Sequence, residues 1–393
     1  MQLFFNNKKQ IYSIFIGVLI IFGFYLCFVG GYGSDEDTLP MIYVFEARLF
    51  DGRFVSSRFT SYPIPEIGLG FLSYFLGSWA ANITTFIFHL VGLVFIFLAS
   101  EKKFEIDKFY LFFLLCLSSP ILFFENLEPM DYSWAFLFFS IGLYFYSKKV
   151  FEIAVLGFAF AVGCRLNFII FVVLAIFFYR HSNTINYQKK IIIFLCSFIS
   201  SGLFYLPVWF DNSFGLSWIT AARPIEQGIL GLFSRFTYKT WLAFGIIQTL
   251  ILIIGFSKSF RSSAILGKHK VFIILIISNL LLFFYIPAEL SYLQPAIIFT
   301  YLVLIKTFDK KLISILIFLN FFNWLINFQI LKINYKDNSV CAPKHAISAS
   351  FEFNVLDGSV KNFFETRKMI ECWINDSTER GKRILKGKST RVP

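Results

Sequence analysis

A polytopic all-α membrane protein is the fold class this sequence predicts, and three observations predict it. Of 393 residues, 57% are hydrophobic and only 15% charged, with a mean hydropathy of +0.69. A soluble domain needs about 25% charged residues to hydrate its surface. Apolar runs recur along most of the length, too many for one water-facing core, so a bilayer must solvate them. The polar joints between the runs alternate in charge, as the joints of a chain threading a membrane do.

The first run, residues 11–28, follows the basic pair Lys8-Lys9 and ends in Gly30-Gly31-Tyr32-Gly33 and an acidic cluster. It lacks an A-x-A-like cleavage site and reads as a retained first span rather than a secretory signal. With about 20 apolar residues per crossing, about eleven transmembrane helices are predicted, near 11–30, 82–100, 109–125, 131–147, 150–164, 166–180, 191–209, 241–257, 271–287, 289–305 and 311–328. The apolar stretch 63–78 contains Pro63, Pro65, Gly68, Gly70 and Gly77 and reads as a helix lying at the interface.

One set of joints, from Lys8-Lys9 through Lys102-Lys103-Lys108 to Lys306-Lys310-Lys311, holds 17 basic residues; the opposite set holds 7. The positive-inside rule makes the first set cytoplasmic. An odd span count then puts the N-terminus inside and residues 330–393 outside. The tail carries 12 basic residues, which pulls mildly the other way, but long segments obey the charge rule poorly. Cys341 and Cys372 lie in this tail and could pair on an oxidising side. The organisation expected is a transmembrane catalytic module over 1–329, with its first external loop at 31–81, and a small extracytoplasmic C-terminal domain over 330–393.

The net charge of +12 does not mark a nucleic-acid binder. The basic residues fall in short clusters between apolar runs, with no continuous face for phosphates. HExxH, P-loop, CxxC and GxGxxG motifs are missing from the sequence, and the four histidines are scattered.

Chemistry concentrates in the first external loop. From Gly31 to Glu66 it holds six acids and three arginines, beginning with Ser34-Asp35-Glu36-Asp37-Thr38. Three adjacent acids at a low-dielectric boundary repel one another, so one of them could serve as a base near neutral pH. A solvated negative cap on the first helix is the plainer alternative. Leu39, Ile42, Tyr43, Ala47 and Phe50 follow at helical spacing. Then come Asp51-Gly52, a turn signal, Ser57-Arg58, and Tyr62-Pro63-Ile64-Pro65-Glu66.

These residues resemble the GT-C superfamily of integral membrane glycosyltransferases, especially the branch using polyprenyl-phosphate sugars, which includes protein O-mannosyltransferases and aminoarabinose transferases. There a D-E or D-x-D motif opens the first external loop and two juxtamembrane helices follow; Asp35-Glu36-Asp37 fits. Gly52, Ser57-Arg58, Tyr62-Pro63 and Glu66 are similar to the family's G…R…G-x-P…E stretch, except that a glycine is expected near Ser61. Three looser likenesses follow in order: Glu125 to Tyr132 with Asp131, Gly157 to Asn167 with Arg165, and Pro287 to Pro295 with Glu289 and Tyr292.

The resemblance implies transfer of a sugar from a polyprenyl-phosphate carrier to an extracytoplasmic glycan, lipid or protein, by an inverting single displacement. Asp35 would be the general base, with Asp37 second and Glu36 positioning. Arg58, Arg165, Arg223 and Arg235 would neutralise the leaving phosphate, and Glu66, Asp131, Glu289 and Tyr292 would line the substrate site. No metal ligands and no cofactor are assigned, although a divalent ion could bridge the acids and phosphate. Each assignment has a plainer alternative: Arg165 snorkelling to the interface, Glu289 interacting with the dipole of the next helix, Asp131 with Ser133 forming an N-cap. The loop 211–240, with Arg223 and Arg235, reads as a lid or acceptor-binding element. The expected location is the inner or plasma membrane, in cell-envelope glycan assembly. The rivals are a Wzy-like glycan polymerase, a transporter or lipid flippase, and a membrane protein without an active site.

Overall fold

Apolar runs become helices because a helix satisfies its own backbone where no water can. The first, α1, covers Gln2–Val29. Its apolar part, Lys9–Val29, is about 30 Å long at 1.5 Å per residue, the thickness of a bilayer's hydrocarbon core. Large apolar side chains stand exposed along it, among them Ile11, Ile14, Val18, Ile21 and Tyr25.

The computed structural model describes residues 2–33, 61–100, 104–179, 185–211, 228–245, 247–253, 263–287, 289–329, 352–355 and 359–367, with Thr38, Pro40, Val44, Phe45, Arg48, Leu49 and Ser57 of the first long loop. Asp35, Glu36, Asp37, Arg58, Arg223, Cys341 and Cys372 lie outside these residues.

After the loop come α2 (Pro63–Leu76), α3 (Ser78–Ser100), α4 (Ile106–Ser118), α5 (Pro120–Phe124), α6 (Asp131–Ser147), α7 (Phe151–Cys164), α8 (Phe168–Phe178) and α9 (Tyr187–Asp211). Beyond them lie α10 (Ile229–Phe244), α11 (Ile247–Ile253), α12 (Ser263–Tyr285), α13 (Gln294–Thr307) and α14 (Lys310–Leu325). A two-stranded antiparallel sheet, β1 (Ile326–Gln329) with β2 (Glu352–Val355), pairs Ile326 with Val355 and Gln329 with Glu352. The last described helix is α15 (Ser359–Thr366).

Every predicted apolar run contains a helix, and the protein is a predominantly helical, membrane-embedded chain. Among the described residues four helices are long and apolar enough to cross a membrane, or six if each of two bent pairs is one span. α2 is not among them. It buries Pro63, Pro65, Glu66, Leu69, Gly70 and Ser73 while Ile67, Phe71, Phe75 and Leu76 stay exposed, as a helix lying in the interface would.

Two elements differ from expectation. The run at 109–125 bends by 83° between α4 and α5, because Pro120 cannot donate the hydrogen bond that would continue the helix. The side chains of α14 close the gap. Asn320 Nδ2 donates to the Leu115 carbonyl at 3.3 Å and to Ser118 Oγ at 3.1 Å, and Trp324 Nε1 donates to the Ser118 carbonyl at 2.7 Å. The break is thus covered from within the protein at the Leu115 and Ser118 carbonyls. Asn320→Leu, which strands buried acceptors, is expected to destabilise the protein by about 1–3 kcal/mol, read as a lowered thermal midpoint in detergent.

The second difference lies in the 211–240 loop, whose latter part is helical. Ile229, Leu232, Phe233 and Phe236 fall at helical spacing in α10, which meets α11 at a 100° bend. The break is at Gly245, whose φ is +82°.

At one end of the bundle Asp107 pairs with Lys9 at 3.7 Å and Lys310 at 3.0 Å, and Lys306 Nζ donates to the Ser100 carbonyl at 2.6 Å. All three lysines belong to joints that charge alone assigns to one side. We call the other end, where α1 finishes and α6 begins, distal.

Candidate functional site

The distal site is organised by the pairing of α6 with α7. Gly157 sits against Gly142; a Cβ on Gly157 would lie 2.7 Å from the Gly142 nitrogen. Only hydrogen at both positions lets the two backbones approach this closely. α7 ends at Cys164, and Arg165 leaves the helix with φ −150° and ψ 118°. Its side chain turns inward onto Asp131, the first residue of α6.

Arg165 Nη1 lies 2.9 Å from Asp131 Oδ2, and the residues are 2% and 0% exposed. No aligned hydrogen bond accompanies the ion pair at Nη1 or at either Asp131 oxygen. Three tyrosines surround the guanidinium, whose carbon lies 3.8 Å from the Tyr132 ring centre, 4.8 Å from Tyr292 and 5.2 Å from Tyr62. Ring faces attract cations most strongly when water is excluded. Burial acts to lower the Arg165 pKa, but the Asp131 carboxylate and the tyrosine oxygens more than reverse it, holding the pKa well above the ordinary guanidinium value. Neither plainer alternative applies. Arg165 does not snorkel, and Met130 rather than Asp131 occupies the N-cap position, without a side-chain capping bond.

Tyr132 extends the cluster. Its hydroxyl donates to Glu289 Oε2. Glu289 precedes a 3-10 turn at Leu290–Leu293 and makes no capping hydrogen bond to it. Ser291 of that turn donates to Glu125 Oε2 at 2.7 Å. Glu125 and Glu289 thus lie within electrostatic range of each other, both only partly buried. On α10, Arg235 is exposed, and Lys239, one turn on, lies within electrostatic range of both Arg235 and Glu289.

Glu66 is engaged by its own loop. It is fully buried in the first turn of α2. Its carboxylate accepts from Arg48 Nη2 at 2.5 Å, Ser57 Oγ at 2.5 Å, the Ser57 and Tyr62 N–H groups at 3.0 Å each, and Ser61 Oγ at 2.9 and 3.1 Å. The chain itself supplies these donors, so Glu66 ties the loop residues Arg48, Ser57 and Ser61 to the first turn of α2. Ser61 adopts φ +51°, a left-handed conformation that glycine takes most easily. The glycine expected there is replaced by a serine whose hydroxyl is tied to Glu66.

The acidic run itself is outside the described residues, but both flanks are described. Gly33 lies so close to Glu128 that a Cβ would meet the carboxylate at 2.2 Å. Buried Thr38 donates to Met130 Sδ at 3.4 Å. Both flanks therefore rest on the segment that leads directly into Asp131.

The chain matches no known protein family, characterised protein or solved structure. The site must be read from its own geometry.

Of the residues singled out in the sequence, Asp131, Arg165, Glu289 and Tyr292 come together in one cluster, Glu66 joins it through Tyr62, and Arg235 faces outward beside it. Glu125, Tyr62, Tyr132, Ser291 and Lys239 were missed. Lys239 had a visible signal, since Arg235 and Lys239 are four apart on one helix face. The others lay inside the stretches quoted for the resemblance, but their roles had no signal, because their partners are distant in sequence. Among the described residues no group of His, Cys, Asp and Glu is arranged to hold a metal.

Proposed function

We propose that the protein is a membrane glycosyltransferase that moves a sugar from a polyprenyl-phosphate carrier to an acceptor at the distal face. One observation carries this reading: residues from four separate joints converge on a partly buried, aromatic-walled cluster of fixed charges, and both flanks of the acidic run rest beside it. A sugar site needs carboxylates to accept hydroxyl protons, aromatic faces to stack on the ring, and cations to meet the phosphate as its charge grows. Glu125 and Glu289 supply the first, and the half-buried Tyr292 ring the second.

The cationic role falls differently from the sequence expectation. Asp131 already balances Arg165, so Arg165 fixes the architecture. Arg235, exposed on α10, is a described cation placed to face a phosphate. Asp35 is assigned as general base, taking a proton from the acceptor hydroxyl as its oxygen attacks the anomeric carbon and the carrier phosphate leaves. Asp37 stands second and Glu36 positions. The protein would act at the extracytoplasmic face of an inner or plasma membrane.

The test is an in vitro assay with purified protein and a panel of polyprenyl-phosphate sugars. Asp35→Asn or Asp37→Asn is expected to lower transfer by at least about 100-fold, the low end for losing a general base. Wild-type activity that survives both substitutions would exclude this assignment. Glycan polymerisation with no monosaccharide transfer would favour the polymerase.

A further inference from the structure

The tail returns to the end of the first helix. The last carbonyls of any helix lack partners within it. In α1 they are supplied from two distant places. Asn82 Nδ2 of α3 donates to the Cys27 and Gly31 carbonyls at 3.2 and 2.8 Å. Arg367, just past α15, donates from Nη1 to the Val29 carbonyl at 3.0 Å, 338 positions along the chain. The Arg367 carbonyl in turn accepts from the Gly33 N–H at 3.0 Å.

A cation at a helix C-terminus is also favoured by the helix dipole. Phe363, 4% exposed, packs over Gly30 and against Phe124, with ring centres 5.8 Å apart. A Cβ at Gly30 would come within 3.3 Å of the Phe363 ring, so glycine there leaves room for the docked phenylalanine.

We infer that α15 and Arg367 form a clamp that fixes the root of the first external loop, making Arg367 a positioning residue for the acidic run that starts two residues after Gly33. Arg367 grips the chain on both sides of the Gly30-Gly31 pair: one bond holds the helix end, the other the exit strand. The inference rests on the proposed function only for its catalytic consequence.

The test introduces Ser34→Cys and follows its labelling by a maleimide in purified protein, with labelling of the parent cysteines subtracted. Arg367→Gln is expected to accelerate labelling about tenfold, the ratio set by one charge-assisted hydrogen bond, and Phe363→Ala at least as much, because it leaves a cavity beneath the clamp. Arg367→Lys, keeping the charge, should stay within about threefold of the parent. Tyr146→Phe, which removes a bond to the Ile176 carbonyl elsewhere in the bundle, controls for general loosening. Unchanged labelling in both tail variants would overturn the inference, and so would equal acceleration by Tyr146→Phe. If Arg367→Gln fails to fold, Phe363→Leu and Arg367→Lys carry the comparison. In the transfer assay the tail variants should lower kcat more than they raise the donor KM. The labelling needs no substrate, so it stands or falls separately from the glycosyltransferase reading.

Discussion

Arg165→Met, with Asp131 left in place, should destabilise the protein by about 3–5 kcal/mol, the usual effect of stranding one member of a buried ion pair. The remaining carboxylate is fully buried and takes no aligned hydrogen bond in the described structure, so only the nearby guanidinium offsets its desolvation. The reciprocal Asp131→Asn should lose less, because the tyrosine faces still attract the cation. The informative variant is the double one. Replacing both charges by neutral groups of similar volume is often neutral or stabilising, so Asp131→Asn with Arg165→Met should recover most of the stability, measured by unfolding in mixed micelles. If Arg165 only fixes the architecture, sugar transfer recovers along with stability. If it contacts the carrier phosphate, stability returns and activity does not. Failure of the double variant to regain stability would show that packing around the guanidinium matters more than its charge.

Glu66→Ala is the second large effect, again about 3–5 kcal/mol by the same logic. It removes the acceptor shared by Arg48 and the donors of Ser57, Ser61 and Tyr62. The consequence should be local as well as global. Proteolytic cutting between residues 45 and 62 should speed up, because Glu66 ties that stretch to α2. Glu66→Gln should be intermediate: one oxygen still accepts, while the amide NH₂ opposes donors. Cutting at the wild-type rate in both variants would remove Glu66 from its place as organiser of the loop. Ser61 should respond in the same experiment, since its left-handed backbone depends on the hydroxyl contact to Glu66.

The helices in the long apolar runs were legible because their signal is local, whereas the start of α10 was read as loop. An apolar run needs only its own residues to declare a helix, and Pro and Gly in 63–78 marked α2 as something other than a crossing. The bend after Ser118 was missed although Pro120 stood in view, because whether a proline kinks a helix depends on what covers the exposed carbonyls. Here Asn320 and Trp324 cover them, from about 200 residues away. The candidate site divides the same way. Asp131, Arg165, Glu289 and Tyr292 were singled out through the likeness of their segments to glycosyltransferase motifs. Their roles could not be read, since Arg165 looks identical in sequence whether it snorkels, grips a phosphate or neutralises an aspartate.

Sequence alone determined that this chain belongs in a bilayer, that its long apolar runs are helical, and how its charged joints sort into two groups. Those properties follow from transfer free energy and local hydrogen bonding, which add up residue by residue. Tertiary structure decided which charges are matched. It set Asp131 against Arg165, enclosed Glu66 in its own loop, and brought Arg367 back to the end of α1. Pairing energies depend on distance and on exclusion of water, and both are fixed only when segments far apart in the chain are packed together.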